Sequence, residues 1–496
     1  MGLLRLTRRA ALLGAGAALG AWGSRALGPR MPSPDGTRSL RPADAPGTLN
    51  DASGLSETPV FRHITVTEDV GEPLVNRFRN ELDEARASGR PVCLSAARHS
   101  MGGQSIPRGG HAITCDNGFV EPDTANGLFR VHAGARWGQV IAALDPLGFS
   151  PKVMQSNNDF GVGSTFCVNA HGWPVPHGPM GSTVRSIRLV TQDGDWITCS
   201  RDENAELFAM TMGGYGLTGL ITDLTVEMVP NRRLEATYAE MPGEALGTAF
   251  VAALEDPAVE MAYGRLNVER ARFFEEALLI SYRPAADQSD LPPAAGSGAM
   301  SRAARHIFRA QLGNEPVKRA RWWTETAVAP WLAGAATRNS LINEPVVTLD
   351  DRDPGRTDIL HEYFVPPDRF ADFTRACREV IPASYQELLN VTLRFVAPDP
   401  ESWLSYAPGP RIAAVMLFSQ EMTLRAEEDM ARMTRALIGR VLDLGGSYYL
   451  PYRPHATGAQ FAAAYPRAAE FAAAKRALDP DLRFRNALWD RYLEPL

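Results

Sequence analysis

The sequence is poor in cysteine and lacks the short patterns that bind metals. Its 496 residues include five cysteines, and no two of them form a CxxC pair or a zinc-type spacing. Dispersed cysteines of this kind are typical of small buried apolar residues. One disulfide stays open, because the N-terminus indicates an oxidising compartment. We therefore expect no metal site.

Other absences narrow the function further. The formal net charge is −6 and the body of the chain has no strongly basic stretch, which argues against nucleic acid as a partner. The sequence has no P-loop and no HExxH motif. Gly14 and Gly16 resemble part of a dinucleotide fingerprint, but they follow arginines instead of a strand. Hydrophobic residues make up 45%, which indicates a globular body, and the length predicts two or more folding units.

Residues 1–28 have the features of an export signal. Arg5, Arg8 and Arg9 precede an apolar run from Ala10 to Trp22, and small residues follow. This order is typical of a secretory signal, and it resembles the twin-arginine type, which exports folded proteins. The run is shorter than the roughly 20 residues of a membrane-spanning helix, so we expect no stable span in the mature chain. The prediction is a periplasmic or secreted protein; a plain secretory signal or an uncleaved anchor is the alternative.

Composition divides the rest of the chain into four segments. Residues 29–57 are rich in Pro, Gly, Ser and Asp and predict a linker. Residues 58–232 are dense in glycine and short β-type runs, with helical stretches between them, which favours an α+β domain. Residues 233–444 contain more helix formers and later strand-like runs, and predict a second domain with its own sheet. Residues 445–496 are again punctuated by Gly, Pro and aromatic residues.

The strongest local signal is a loop that directly follows a short buried strand. It runs from Ala96 to Gln104 and contains His99 between small and glycine residues. Successive backbone N–H groups in such a loop can point into one concavity and bind phosphate oxygens without a basic side chain. A histidine in that loop lies beside whatever carries the phosphates.

Two more glycine-rich loops follow in the same domain. Residues 161–172 combine glycine, hydroxyl and amide side chains with little bulk, so a planar ring can approach the backbone. Residues 212–221 form a glycine run between a helix and a buried strand. Each loop alone is more often a simple turn, but together they indicate a large phosphorylated cofactor.

In this order, the loops resemble the FAD-binding domain of the vanillyl-alcohol oxidase and p-cresol methylhydroxylase family. The resemblance rests on Arg98, His99, Ser100 and Gln104, and then on the second and third loops. It implies an α+β fold, in which a two-subdomain FAD-binding domain of p-cresol methylhydroxylase type carries an α+β cap, the substrate domain, built on an antiparallel sheet.

The resemblance implies FAD as the cofactor, with His99 bonded to the flavin 8α carbon. Residues 155–158 contain no cysteine for a second bond, so a single attachment is expected. Backbone groups of the first loop would hold the pyrophosphate, the second loop would line the isoalloxazine, and Ile221 would lie near the adenine. The predicted cofactor-binding residues are His99, Ala96, Ala97, Arg98, Ser100, Met101, Gly102, Gln104, Gly161, Gly163, Ser164, Thr165, Asn169, His171, Gly172, Gly216, Ile221 and Asn486.

The C-terminal segment and the cap strands supply the predicted substrate side. Tyr449 and Tyr452 match a catalytic Tyr and Lys of one family member, with the Lys replaced, so the general base is left open. Arg394 is a candidate for binding substrate oxygens or negative charge at flavin N1, and Thr392 replaces a Glu found in some relatives. The predicted catalytic residues are Tyr449, Tyr452 and Arg394. The predicted substrate-binding residues are His361, Tyr363, Asn390 and His455; Glu362 is a further cap-strand candidate, and packing is the alternative role for the aromatic residues.

These features predict a FAD-dependent oxidoreductase. Hydride would pass from an alcohol, sugar, polyol or amine carbon to flavin N5, and oxygen or another acceptor would reoxidise the flavin. Two alternatives are kept. One is the same flavin acting on a lipid-linked or partner-delivered substrate, and the other is a non-catalytic binding protein with a flavin fold.

Overall fold

The computed structural model describes residues 40, 45–296, 306, 308–346 and 353–496. The predicted export signal and most of the predicted linker lie outside these residues. The described part of the linker, residues 45–57, lies against the rest of the chain. Within it, Asp51 Oδ2 accepts a hydrogen bond from Gly103 N at 2.8 Å, and the Ser53 carbonyl accepts one from Thr357 Oγ1 at 2.7 Å.

The strands follow in chain order. They are β1 (Thr48–Leu49), β2 (Thr58–Pro59), β3 (Arg62–Val66), β4 (Val92–Ser95), β5 (His111–Cys115), β6 (Val120–Asp123), β7 (Leu128–His132), β8 (Phe149–Pro151), β9 (Val184–Val190), β10 (Trp196–Ser200), β11 (Leu220–Pro230), β12 (Arg233–Pro242), β13 (Met261–Leu266), β14 (Glu276–Pro284), β15 (Ala336–Thr337), β16 (Arg356–Val365), β17 (Glu387–Val396), β18 (Arg411–Glu421) and β19 (Ser447–Tyr448).

The helices are distributed over both halves of the chain. They are α1 (Glu72–Ala87), α2 (Trp137–Leu144), α3 (Val162–Cys167), α4 (Ala205–Thr211), α5 (Leu246–Ala253), α6 (Glu315–Trp323), α7 (Ala329–Leu332), α8 (Arg338–Ile342), α9 (Phe370–Val380), α10 (Leu424–Asp443), α11 (Gly458–Ala464) and α12 (Ala468–Leu478). A π-helical turn, Thr324–Val328, joins α6 to α7 without a break.

Three larger sheets organise the described strands. A parallel sheet has the order β3-β5-β4, and an antiparallel sheet has the order β10-β9-β11-β7-β6, with β8 also paired to β11. The third sheet has the order β15-β12-β14-β13-β17-β18-β16-β19 and is antiparallel throughout. The prediction of an α+β fold with an antiparallel sheet in the second half is confirmed.

The parallel sheet arises from a βαβ pattern in the sequence. Helix α1 buries Leu74, Val75, Phe78 and Leu82, whose spacing places them on one side of a helix. Val92 at the start of β4 is buried in the same core. Because β3 and β4 both run parallel to β5, the loop that follows β4 lies at the carboxyl edge of the sheet. This loop is the first of the three glycine-containing loops.

The eight-stranded sheet has a different environment on each face. Residues alternate between the faces of a strand, and β16 is buried on both. Tyr363 contacts Phe373 of α9, and His361 contacts Thr434 of α10, so the odd positions face these helices. Glu362 points the other way, toward the segment after α3. The sequence prediction missed β12, β13 and β14, because residues 233–284 read as rich in helix formers.

The C-terminal segment returns to the parallel sheet. Val92 N donates to the carbonyl of Arg483 at 2.6 Å, and Asn486 Nδ2 donates to the carbonyl of Tyr215 at 2.9 Å. All five cysteines, at positions that the structure describes, are free thiols, so the disulfide left open above is not formed. No helix in the described part of the chain has the length and apolar character to cross a bilayer.

Candidate active site

The first loop, residues 96–104, is held by the C-terminal segment. Gln104 Nε2 donates to the carbonyls of Leu450 (2.7 Å) and Tyr452 (2.9 Å), while its Oε1 accepts from Gly102 N at 2.8 Å. The predicted cofactor residue Gln104 therefore joins the loop to the segment that carries the two predicted catalytic tyrosines.

The backbone of this loop has the form of an anion-binding turn. Arg98 (φ 51°) and Gly103 (φ 75°) both lie in the left-handed region. Arg98 Nη1 donates to Thr114 Oγ1 at 2.8 Å, so its side chain points back to the parallel sheet. The N–H groups of Met101, Gly102 and Gly103 already donate within the protein, so pyrophosphate binding by the backbone of this loop stays a prediction.

His99 lies where the first and second loops meet. Its ring packs against Phe160 with centroids 4.3 Å apart, and its Nε2 is 3.9 Å from Asp159 Oδ2. Burial lowers the pKa of His99 and outweighs the opposing effect of Asp159. The imidazole is therefore neutral at pH 7, so it keeps a nitrogen lone pair.

Internal contacts shape the second loop. A Cβ on Gly161 would lie 2.5 Å from the Cβ of Ala96, so only glycine lets the two loops approach. Thr165 Oγ1 accepts from Trp137 Nε1 at 2.9 Å, and Asn169 Nδ2 donates to an Asp399 carboxylate oxygen at 2.9 Å. Gly161, Thr165 and Asn169 thus position the loop, and their direct contact with a cofactor stays a prediction.

The third loop passes beneath the second. Tyr215 N donates to the carbonyl of Cys167 at 2.9 Å, and Gly216 has φ 72° with open space where a Cβ would point. Ile221 is buried in the core of the six-stranded sheet. The other predicted cofactor residues lie on the first two loops; they are Ala97, Ser100, Met101, Gly163, Ser164 and Gly172.

Three buried nitrogens beside these loops test the fit of FAD. Arg136 Nη1, Gln155 Nε2 and His171 Nδ1 have no hydrogen-bond partner among the described residues. A Cβ on Gly161 would lie 3.2 Å from Arg136 Nη1, which places this donor at the second loop. An unpaired buried polar group costs about 1–3 kcal/mol, so the site favours a ligand with acceptors for Arg136 and Gln155 and a donor for His171 Nδ1. The pyrophosphate and isoalloxazine of FAD meet that demand.

A buried polar cluster lies between the second loop and the eight-stranded sheet. Glu362 Oε1 is 2.5 Å from His171 Nε2, and Glu362 Oε2 accepts from Tyr452 OH at 3.2 Å. Arg394 Nη1 donates to the His171 carbonyl at 3.0 Å, and its Nη2 donates to Ser156 Oγ at 2.7 Å. We call Glu362, His171, Tyr452 and Arg394 the junction cluster.

Burial controls the protonation of the junction cluster. It lowers the pKa of His171, against the opposing effect of Glu362. It raises the pKa of Tyr452 well above the usual range, and the charge of Glu362 adds to this. Tyr449, whose OH donates to the Val168 carbonyl at 2.8 Å, also has a pKa raised by burial. The two carboxyl oxygens of Glu362 therefore face a neutral imidazole and a neutral phenol.

Three predicted substrate residues lie away from this cluster. His361 and Tyr363 are on the helix-covered face of β16, so the prediction that they line the substrate surface is not supported by their positions. His361 Nε2 lies 3.3 Å from Thr434 Oγ1, and burial with His455 nearby lowers its pKa to about 3. His455 Nε2 pairs with Glu427 Oε1 at 2.8 Å. For His361 and Tyr363 the cause is strand alternation, which puts neighbours of Glu362 on the opposite face.

The fourth predicted substrate residue, Asn390, belongs to a second charged cluster on the same sheet face as Glu362. Asn390 Oδ1 accepts from Arg321 Nη2 at 3.0 Å. Glu325 pairs with Arg265 at 3.0 Å and with Arg321 at 2.7 Å. We call Arg265, Glu325 and Arg321 the helix cluster. The helix cluster lines a depression of about 220 Å³. No local sequence motif predicts this cluster.

Comparison with known proteins agrees with this geometry. Residues 75–200 match the family model described as a FAD binding domain. Decaprenylphosphoryl-beta-D-ribose oxidase of Mycolicibacterium smegmatis is 24% identical over 464 residues, which cover 88% of this chain and 96% of that protein. Cytokinin dehydrogenase 7 of Oryza sativa subsp. japonica is 30% identical over 148 residues, so the match spans only 28% of its length.

The fold matches a solved structure over nearly the whole chain. 6-hydroxy-D-nicotine oxidase of Arthrobacter nicotinovorans aligns with a TM-score of 0.60 at 16% identity, covering 92% of this chain and 98% of that one. These matches agree with the three glycine-rich loops and the separate eight-stranded sheet. Together they indicate the class of FAD-dependent oxidases and dehydrogenases. Within that class, the chain is similar to FAD-linked oxidases of the vanillyl-alcohol oxidase and p-cresol methylhydroxylase type, as its sequence motifs indicated.

Proposed function

We propose that the chain oxidises an alcohol, sugar, polyol or amine carbon, with FAD attached through its 8α carbon to His99. FAD, when bound, accepts hydride at N5. The observation that carries the proposal is the junction cluster, because a buried carboxylate beside a neutral imidazole can remove the proton that must leave the substrate hydroxyl or amine. Glu362 is on a strand and His171 follows α3, so the sheet and the second loop both position this pair.

Each member of the junction cluster has a defined part in the proposal. Glu362 takes the substrate proton, and the hydrogen bond from His171 Nε2–H to Oε1 holds the carboxylate in place. Tyr452 donates to Oε2 and orients the carboxylate. Arg394 places a positive charge beside the second loop, where it stabilises negative charge that develops on a bound ring or substrate oxygen.

His99 is the proposed attachment residue. Its ring lies at the junction of the two cofactor loops, and its lowered pKa keeps a nitrogen lone pair available. Residues 155–158 offer no cysteine, so the proposal includes a single bond. A covalent link retains the cofactor in a compartment where free FAD is scarce, which agrees with the proposed twin-arginine-type export to the periplasm or the medium.

A second candidate keeps this chemistry and changes the substrate to a lipid-linked sugar. Two observations favour it. The match to decaprenylphosphoryl-beta-D-ribose oxidase extends over 88% of the chain, and large apolar side chains are exposed at Trp323, Trp331 and Leu332. Oxygen or another carrier would reoxidise the flavin in either case.

The test begins with the full chain purified with its cofactor. We expect a visible flavin spectrum, and fluorescence that stays with the polypeptide on a denaturing gel. His99→Ala removes the covalent fluorescence, whereas His63→Ala, an exposed histidine on β3, retains it. A substrate screen with oxygen and dye acceptors follows, comparing simple alcohols and amines with a polyprenyl-phosphate sugar.

The outcomes separate the parts of the proposal. Flavin that dissociates on denaturation from the unmodified chain contradicts the covalent bond and leaves the oxidation chemistry intact. A colourless protein after incubation with FAD contradicts the whole proposal. Turnover of the lipid-linked sugar alone selects the second candidate.

A further inference from the structure

The continuous helix formed by α6, the π-helical turn and α7 has three of its charged side chains, those of Lys318, Arg321 and Glu325, turned inward. Lys318 is buried and pairs with Glu387 at 3.1 Å, while Arg321 and Glu325 belong to the helix cluster. A surface helix normally places charged residues in water and apolar residues against the core. Here the polar face of the eight-stranded sheet attracts the charged side instead.

The outward side of this helix is consequently apolar. Ala320, Trp323, Ala327 and Trp331 follow one another at spacings of three or four residues, which puts them on one face, and all four are exposed. Trp323 is 61% exposed, Trp331 is 82% exposed, and the adjacent Leu332 is 46% exposed. Such a cluster of large apolar side chains in water marks an interaction surface. We call Trp323, Trp331 and Leu332 the tryptophan face.

One positive charge lies beside the tryptophan face on the same helix. Arg319 is one turn before Trp323 and is 68% exposed, whereas its partner Glu269 is 3% exposed. A partner that approaches this end of the face therefore meets the guanidinium group before the carboxylate.

We propose that the tryptophan face docks on the surface of an anionic lipid bilayer. Tryptophan favours the bilayer interface, and the exposed guanidinium group of Arg319 complements anionic headgroups. The exposed part of the three side chains amounts to roughly 400 Å². A second copy of the chain would need about 800 Å² per partner for a standard interface, so the patch is small for a dimer, whereas a bilayer needs only a few inserted side chains.

This docking does not depend on the proposed oxidation chemistry, and its test uses binding alone. The purified holoprotein is sedimented with vesicles of phosphatidylcholine containing phosphatidylglycerol, and with vesicles of phosphatidylcholine only. We expect binding to the anionic vesicles that weakens in high salt. The double variant Trp323→Ala/Trp331→Ala should lower the apparent affinity at least tenfold. Phe61→Ala, which removes an exposed aromatic residue on the opposite half of the chain, should leave it unchanged.

Flavin content and thermal unfolding of each variant confirm that the fold is retained. Equal vesicle binding by the double variant and the unmodified chain overturns the proposal, as does failure of the unmodified chain to bind. Light scattering measures the oligomeric state of the unmodified chain and of the double variant. A dimer that becomes a monomer in the double variant, with no vesicle binding, assigns the tryptophan face to a second copy and overturns the lipid proposal.

Discussion

The junction cluster and the helix cluster lie on the same face of the eight-stranded sheet, yet their charges are balanced differently. One row of the sheet register joins them, through Glu362, Val415, Thr392 and Arg265. Three strand spacings separate its ends by roughly 14 Å. At one end, Glu325 lies between two guanidinium groups. At the other, Glu362 hydrogen-bonds no guanidinium in the described part of the chain.

This difference indicates that the helix cluster stabilises the fold and that the junction cluster is suited to chemistry. Burial alone would raise the pKa of Glu325, but Arg265 and Arg321 together bring it down to about 2. Such a carboxylate stays charged and paired. In the junction cluster, His171 Nδ1 and Arg394 Nε are buried without a partner among the described residues. Unsatisfied buried polar atoms are costly, and they concentrate where a ligand completes the network.

The largest effect on activity is expected from a substitution in the junction cluster. Glu362→Gln keeps the shape but turns one acceptor oxygen into a donor and removes the proton acceptor, so we expect kcat for the best substrate of the screen to fall by about 10²–10⁴-fold. Flavin content should not change. The control is Glu379→Gln, an exposed carboxylate paired only with exposed Arg440. Turnover of Glu362→Gln within threefold of the unmodified enzyme would exclude Glu362 as the base.

The next effect concerns stability at the helix cluster. Glu325→Gln leaves Arg265 and Arg321 facing each other, so we expect the free energy of unfolding in urea to drop by about 2–4 kcal/mol at pH 7. The same Glu379→Gln control should change it by less than about 1 kcal/mol. An unchanged unfolding curve for Glu325→Gln would show that solvent already screens the two arginines.

The helix cluster also predicts a pH dependence. The folded-state pKa of Glu325, about 2, is below its ordinary value of 4.5. Its contribution is therefore fully present above pH 4.5 and is lost as the pH falls toward 2. The stability difference between the unmodified chain and Glu325→Gln should shrink below pH 4.5. Urea unfolding at intervals between pH 6 and pH 3 measures this difference. A difference that grows on acidification would contradict the lowered pKa of Glu325.

The smallest expected effect on kcat distinguishes Tyr452 from Tyr449. Tyr452 OH donates to Glu362, whereas Tyr449 OH donates to a backbone carbonyl. We expect Tyr452→Phe to lower kcat about tenfold, because one net hydrogen bond to a charged group is worth roughly 1.5–3 kcal/mol and part of it is retained by water. Tyr449→Phe should affect kcat less. The reverse order would make Tyr449 the group nearer the reaction.

Several features could be predicted from the sequence because their signals are local. Helices α2 and α4 lie within residues 58–232, where helical stretches were predicted, and the glycine loop after β4 lies at the carboxyl edge of its sheet. Strands β16, β17 and β18 lie within residues 233–444, where strand-like runs were predicted. Close approach of the loops accounts for Gly161, and a left-handed φ accounts for Gly216.

Other features depended on contacts between distant residues. His361, Glu362 and Tyr363 are consecutive, and β16 is buried on both faces, so no polar-apolar alternation shows which one faces the second loop. Arg265 and Glu325 are far apart in the chain and meet only because helix α6 crosses the sheet. The inward turn of Lys318 and Arg321 follows from the charged sheet face, which the sequence of the helix does not contain.

By itself, then, the sequence determined the order of the cofactor loops, the α+β composition and the histidine at their centre, since backbone geometry and short-range spacing encode them. The tertiary structure alone decided the placement of Glu362 against His171, the balance of charge in the helix cluster and the outward direction of Trp323 and Trp331. Each of these depends on which surfaces pack together, and the free energy of burying a charge is set by partners that lie far away in the chain.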